Sequence, residues 1–266
     1  QYLQDNDRVP DGFFAIDLDG KYLYPGLIDI YTDLGMPELE SIDNNGAAEN
    51  LFPSNGALNA NDAIRANFRA STSYRTNENA VRNFRELGFS TVLSHRADGI
   101  ARGTSALITL GDQNANEAII LPDVAAHYSL DKGSSTQSMP TSLMGSFALI
   151  RQTFLDAAWF TQQQPRPFTD DTLEAWQATQ SLPQIMEVEN WQQALTADKV
   201  GDEFDTQYIL KTAGDSYKRA VAAFSHWPAS FRYLVAMEAV DAILQAVDAV
   251  VLVYTCLLYT SPSPRD

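Results

Sequence analysis

The sequence predicts an α/β fold organised as a partial (β/α)8 barrel, on three observations. The stretch Gly20–Asp33 runs apolar and aromatic, breaks at Pro25-Gly26 and resumes as the nearly all-apolar Leu27–Ile30. Pro25 cannot donate to a sheet ladder and Gly26 tolerates torsions that other residues avoid, so the chain turns there into a strand covered on both faces. Downstream, Ile185–Val188 and Gln207–Leu210 read as strands separated by a helix over Trp191–Phe204. Their spacing of roughly 23 residues is the tempo of βα units, and a right-handed crossover makes such strands parallel. Parallel strands of a barrel gather their functional side chains at the C-terminal ends, where Tyr31, Thr32 and Asp33 fall on the first strand.

Taken in order, residues 1–24 alternate loosely through Phe13, Phe14, Ile16 and Leu18 around Asp19-Gly20, the pattern of a hairpin. Residues 34–77 are rich in Asn, Gly, Ala and Ser, with a short helix expected over Asn59–Ala70, and the length of this loop marks it as functional or mobile. From Asn77 the spacing of Ala80, Val81, Phe84 and Leu87 predicts a helix that Asn77 caps and Gly88 stops. Strands follow at Phe89–Ser94, Ser105–Leu110 and Ala118–Leu121, with Ala125–Tyr128 as another, and Gly99–Thr104 reads as a tight polar connection. Leu143, Phe147, Ile150, Phe154 and Ala158 define one face of a long helix that opens at Pro140-Thr141-Ser142. Thr169 or Asp170 starts the next helix, with Asp170 and Asp171 suited to its positive end. A last helix is expected over Asp215–Phe224.

Among 266 residues, 45% are hydrophobic and the net charge is -16, with a pI near 4.4. A chain of this size can bury a core. Its acidity disfavours a nucleic-acid partner and an anionic membrane surface, both of which call for clustered Lys and Arg. The longest apolar run, Ala246–Tyr254, is shorter than the roughly 20 residues of a spanning helix. The expected partner is a small-molecule substrate, with no nucleic acid and no membrane; oligomeric state is open. The first residue is Gln1, so any leader would lie upstream, and a periplasmic or secreted location stays open. Cys256–Asp266 matches, residue by residue, the translation of a transposase-based sequencing adapter and is expected to be read-through. The one cysteine belongs to that tail.

Residues 20–33 resemble the entry into the barrel of the amidohydrolase superfamily, where a small β domain hands over through a Gly-Lys-Tyr-Val-X-Pro-Gly-X-Ile-Asp segment. Here it is Gly20, Lys21, Tyr22, Leu23, Tyr24, Pro25, Gly26, Leu27, Ile28, Asp29. Gly133–Gln137, Thr141–Gly145, Ile150–Gln152 and Leu182–Lys211 are similar to an imidazolonepropionase-like subgroup, and the likeness covers about residues 10–218. The resemblance implies residues 1–24 as the remnant of the β domain and 25–218 as barrel strands 1–6. Residues 219–255 match no pattern and are unassigned. It also implies hydrolysis of a non-peptide C–N bond by one or two divalent metals, held by His-X-His on strand 1 and by histidines on strands 5 and 6.

This chain departs from that set. Tyr31-Thr32-Asp33 stands in place of His-X-His, and Glu187 and Lys211 stand in place of the later histidines. A phenol and an ammonium are poor ligands for zinc or iron, so no metal ligands are assigned and the cofactor is left open. Asp33, Glu187 and Lys211 are the candidate catalytic residues, and Tyr31, His95 and His127 the candidate substrate contacts. Three readings compete: Asp33 and Glu187 holding a hard metal or acting as acid and base with His95 or His127 assisting, Lys211 pairing with Glu187 or Asp33 as a buried ion pair, and ordinary polar strand ends. The corresponding alternative function is a metal-free homologue that binds a ligand or partner. His95 and His127 each end a strand, but a lone histidine is also often held by a backbone carbonyl. No Gly-rich phosphate loop and no Gly-X-Ser-X-Gly elbow occurs, so nucleotide binding and serine hydrolysis are unsupported.

Overall fold

The computed structural model describes residues 19, 22, 24–37, 58–135, 137–166 and 168–212, together with the backbone of 252–253. The expected N-terminal hairpin, the helix over Asp215–Phe224 and the adapter-like tail lie outside the described residues. So does the middle of the long loop, residues 38–57.

In chain order come β1 (Leu27–Thr32), a single helical turn α1 (Ala70–Ser73), α2 (Glu78–Glu86) and β2 (Phe89–Ser94). The turn into β1 is tight: Leu27 donates its N–H to the Gly88 carbonyl at 2.8 Å, and a side chain at Gly26 would overlap Ser90. Next are β3 (Ala101–Thr104), β4 (Ala106–Thr109), α3 (Ala115–Ala118), β5 (Ile119–Leu121) and β6 (Ala126–Tyr128). The chain then runs through α4 (Leu143–Gln162), α5 (Asp171–Thr179), β7 (Gln184–Val188), α6 (Trp191–Glu203), β8 (Tyr208–Thr212) and β9 (Leu252–Val253).

These strands form two mixed sheets, of order β5-β4-β2-β1-β9 and β3-β6-β7-β8. β1 is parallel to β2 and β9, and β6, β7 and β8 are mutually parallel with Glu187 in register with Lys211. β4 runs antiparallel to β2 and β5, and β3 antiparallel to β6. β3 and β4 are separated by Ser105 alone and act as one bent strand shared between the sheets. Two antiparallel steps restore the original sense, so β1, β2, β6, β7 and β8 all point the same way.

That bent strand corrects the sequence reading in two respects. Gly99–Thr104 is not wholly a polar connection, because Ala101–Thr104 is a buried strand. The sheet is also not parallel throughout. The link from β2 to β3, residues 95–100, is too short to hold the crossover a parallel neighbour needs, which takes roughly a dozen residues or more, so the chain must return antiparallel. The helix expected over Asn59–Ala70 is replaced by turns, with only Ala70–Ser73 helical. The Asn59 side chain accepts from the Asn61 N–H at 2.9 Å and that of Asn61 from the Ala63 N–H at 3.0 Å, a local bonding that competes with helix. Ile64 and Arg69 bridge instead to Ala101 and Thr104.

The four longer helices are capped by residues suited to the task. Asn77, Ser142, Asp170 and Asn190 each accept backbone N–H groups of the first turn. On the outer side of β6–β8, α4, α5 and α6 bury Phe147, Phe154, Trp176 and Ala197 against Tyr128, Met186 and Tyr208. Phe154 meets Trp176 edge-on at 4.9 Å and stacks on Phe204 at 4.4 Å. A second cluster packs α2 against the first sheet through Val81, Val92 and Ile108. The third cluster positions the site. Leu93 and Leu107 of one sheet meet Ile185 of the other, so the two sheets share an inner face. Among the described residues no helix is long and apolar enough to cross a membrane.

Candidate functional site

Side chains alternate along a strand, so the residues sharing the inner face with Leu93, Ile185 and Ile209 include His95, Glu187 and Lys211. Tyr31 packs on the same cluster from β1. Tyr31, Glu187 and Lys211 stand near the C-terminal ends of their parallel strands, and His95 follows β2 directly. Arg102 lies at the start of the antiparallel strand, which brings it to the same end. The fold thus gathers five polar side chains above one apolar floor.

Their bonding is specific. The Arg102 Nη1 donates to the Tyr31 hydroxyl at 2.8 Å and to Glu187 Oε2 at 2.7 Å, while Nε donates to the Gly99 carbonyl at 3.2 Å. Lys211 Nζ donates to Glu187 Oε1 at 2.5 Å and sits 4.9 Å from the centre of the Tyr31 ring. The carboxylate therefore has a cation on each oxygen. One is dry and one wet: the side chain of Arg102 is 6% exposed, that of Glu187 29% and that of Lys211 44%. Burial alone would raise the Glu187 pKa, but the hydrogen bonds and charges of Lys211 and Arg102 outweigh it and hold the carboxyl down at about 2. Burial pushes the Tyr31 phenol up, with Arg102 opposing, so it stays protonated.

Beneath this cluster His95 and His127 lie face to face, ring centres 4.0 Å apart and planes 12° apart, with Tyr31 4.3 Å from His95. Both are almost fully buried, and among the described residues none of their four ring nitrogens has a hydrogen-bond partner. Each unpaired buried polar group costs about 1–3 kcal/mol, so this is an expensive arrangement that the ring contacts offset in part. Burial, reinforced by the Arg102 charge, lowers the His95 pKa to about 3. Burial, then the His95 and Arg102 charges, lowers that of His127 well below its ordinary value. Both rings are neutral at physiological pH.

Of the six residues singled out in the sequence, five converge here. Asp33 does not: it lies past the end of β1 with its side chain exposed, and Lys211 pairs with Glu187. Nor is the Lys211 pair buried, since its ammonium is largely solvated. The buried cation is Arg102, which sequence reasoning missed. Its one local signal was a lone basic residue among the small residues Ala101, Gly103 and Thr104.

The family resemblance implies a divalent metal, and the residues present do not fit one. Among the described residues no three His, Cys, Asp or Glu side chains are gathered as ligands. Two stacked imidazoles keep their in-plane lone pairs in nearly parallel planes 4.0 Å apart, which do not converge on one ion. The nearby carboxylate is already shared by two cations. Arg102 and Glu187 instead face a cavity of about 720 Å³, with Lys132, Glu189, Gln193 and the hydroxyl of Thr141 on its walls. Leu130, Pro140 and Leu143 line it as well, so its size and mixed lining suit a small molecule with both polar and apolar parts.

No family model matches the chain, and no curated protein matches its sequence. The fold is similar to the crystal structure of an amidohydrolase from Thermotoga maritima MSB8, with a TM-score of 0.59 at 19% identity. The match covers 79% of this chain and 56% of that one, so the chain spans little more than half the length of its structural neighbour. The likeness establishes an amidohydrolase-like mixed α/β fold.

Proposed function

We propose that this chain is part of a (β/α)8 barrel of the amidohydrolase superfamily, extending over residues 25–218, whose strand-end site binds a small molecule with polar and apolar parts without a hydrolytic metal. The observation that carries this reading is the double clamp on Glu187. A carboxylate bonded to Arg102 at 2.7 Å and to Lys211 at 2.5 Å, with its pKa lowered to about 2, is a weak base and a spent ligand. The neutral histidines are buried beneath the ligand cavity and do not line it. Hydrolysis of a C–N bond, which the family resemblance implies, would need a donor set or a free base that these residues do not offer.

What the residues can do is recognise. Arg102 and Glu187 present fixed charge at one end of the cavity, and Lys132, Gln193 and Thr141 offer polar groups along it. The test is a thermal-shift panel of small polyols, amides and amino-acid-like compounds on the full chain, repeated with Thr141→Trp, which places an indole in the cavity mouth. Stabilising compounds are expected whose effect is lost in the variant. Chelator-sensitive hydrolysis of an amide or lactam, abolished by Glu187→Gln, would overturn the reading.

A further inference from the structure

A second cavity, of about 360 Å³, lies away from the strand-end site and is bordered by Arg65, Arg69 and Arg96, together with Phe68, Asn67 and Thr72. Three guanidiniums around one small cavity stand out in a chain with 18 basic and 34 acidic residues. Each is anchored from behind by a carboxylate that does not line the cavity. Arg65 Nη1 bonds to Asp98 and its Nε to the Asp62 carbonyl at 2.7 Å, while Arg96 Nη2 bonds to the same Asp98 oxygen at 2.8 Å. Arg69 grips Asp123 through Nε at 3.0 Å and through Nη2. Asp62 also borders the cavity, and its carboxylate accepts the Ser135 hydroxyl.

These bonds leave donors unspent. Nη1 of Arg69 and both Nε and Nη1 of Arg96 have no protein acceptor among the described residues. Asp98 and Asp62 together balance the charges of Arg65 and Arg96, so what the cavity offers an anion is unspent donors and not surplus charge. The Arg96 guanidinium is held 5.1 Å over the Phe68 ring, which fixes its plane and therefore the directions of its free Nε and Nη1 hydrogens. Pre-oriented guanidinium donors suit the oxygens of a carboxylate or phosphate, here one at a time from each arginine. The backbone beneath is equally fixed: Gly103 has φ +75, and any side chain there would overlap the Phe68 carbonyl.

We propose that this cavity is an oxyanion site, taking the phosphate or carboxylate group of a small molecule between Arg69 and Arg96. It is independent of the strand-end reading, because among the described residues none of its side chains hydrogen-bonds or ion-pairs with Tyr31, Arg102, Glu187 or Lys211.

The test uses the full chain and three probes: inorganic phosphate, succinate, and sodium chloride at matched ionic strength. Saturable binding of phosphate or succinate is expected by calorimetry, and by broadening of the phosphorus NMR line for phosphate, with no saturable response to chloride. The tighter of the two anions identifies the group. Arg69→Gln and Arg96→Gln should each weaken binding by about tenfold or more, as expected for loss of a charged hydrogen bond. Asp98 keeps Arg65 and Ser134 in the second variant, which preserves the fold. If either variant proves unfolded, the wild-type NMR titration still decides. Responses that follow ionic strength alone, or saturable binding unchanged in both variants, would overturn the proposal.

Discussion

Asp98 and Glu187 are each a carboxylate held by two cations, and they differ in how far water reaches them. Asp98 is fully buried. It accepts from Arg65 and Arg96, and also from the Ser134 N–H at 2.7 Å and hydroxyl at 2.8 Å, while Gly133 sits so close that any side chain there would overlap the carboxylate. Three donors converge on Oδ2 and one on Oδ1, and three separate loops are buckled together. Glu187 has the same charge arithmetic, but one partner is buried and the other projects into solvent. The Asp98 carboxylate itself can only hold structure, although Arg65 and Arg96 turn other donors to a cavity. The Glu187 carboxylate borders a cavity itself, and its wet half can yield to a ligand. Solvent access to the carboxylate, not the pairing of charges, separates the two.

The largest expected effect tests the buckle. Asp98→Asn leaves two guanidiniums crowded together without a counter-charge and should destabilise by about 3–5 kcal/mol in a denaturant titration, as for a broken buried ion pair. A loss below about 1 kcal/mol would put Asp98 in the same class as an exposed pair. Next is the dry half of the second centre. Arg102→Met strands a half-buried Glu187 on one solvated partner and releases Tyr31, for an expected loss of about 2–3 kcal/mol. Adding Glu187→Leu should recover much of it, and a simple sum of the two single losses would show that the residues are uncoupled.

How much of this contrast could be read from the sequence depends on the range of the interactions. The helix over Leu143–Gln162 was legible because its apolar spacing and the Ser142 cap are local signals. Glu187 and Lys211 were legible because the βα tempo puts both at strand ends, and the register confirms their pairing. Arg102 was not, since its bond to Glu187 joins residues 85 apart along an antiparallel return that no local pattern announces. Asp33 was misplaced for a related reason: one residue past the end of β1 the alternation lapses, and its side chain turns to solvent. The stacked histidines come from just past the end of β2 and from β6, and the short link that brings those strands to one face was read as a loop.

An intermediate effect follows from that histidine pair. The folded His95 pKa of about 3 lies below the ordinary 6.5, so the unfolded chain takes up protons first as pH falls. Stability from the neutral His95 ring is complete above pH 6.5 and is lost as pH drops towards 3, at up to about 1.4 kcal/mol per pH unit, and His127 acts in the same direction. Glu187, lowered from 4.5 to about 2, adds its own loss only below pH 4.5. Between pH 6.5 and 5 the His95 share of the fall should be about 2 kcal/mol, and His95→Leu should remove that share. A pH-independent midpoint across that window would mean that the imidazoles find partners in solution.

The smallest effect belongs to the wet half. Lys211→Met removes a largely solvated ammonium and should cost less than about 1 kcal/mol, in line with exposed ion pairs. A loss equal to that of Arg102→Met would erase the distinction between the two sides of Glu187.

Metal content of the purified full chain, measured by elemental analysis after dialysis and again after incubation with zinc, bears most directly on the claim that the protein's own cations occupy the strand-end carboxylate. Substoichiometric metal in both samples, with an unchanged melting temperature, is the expected result. One zinc per chain that survives dialysis and is lost in Glu187→Gln would contradict it.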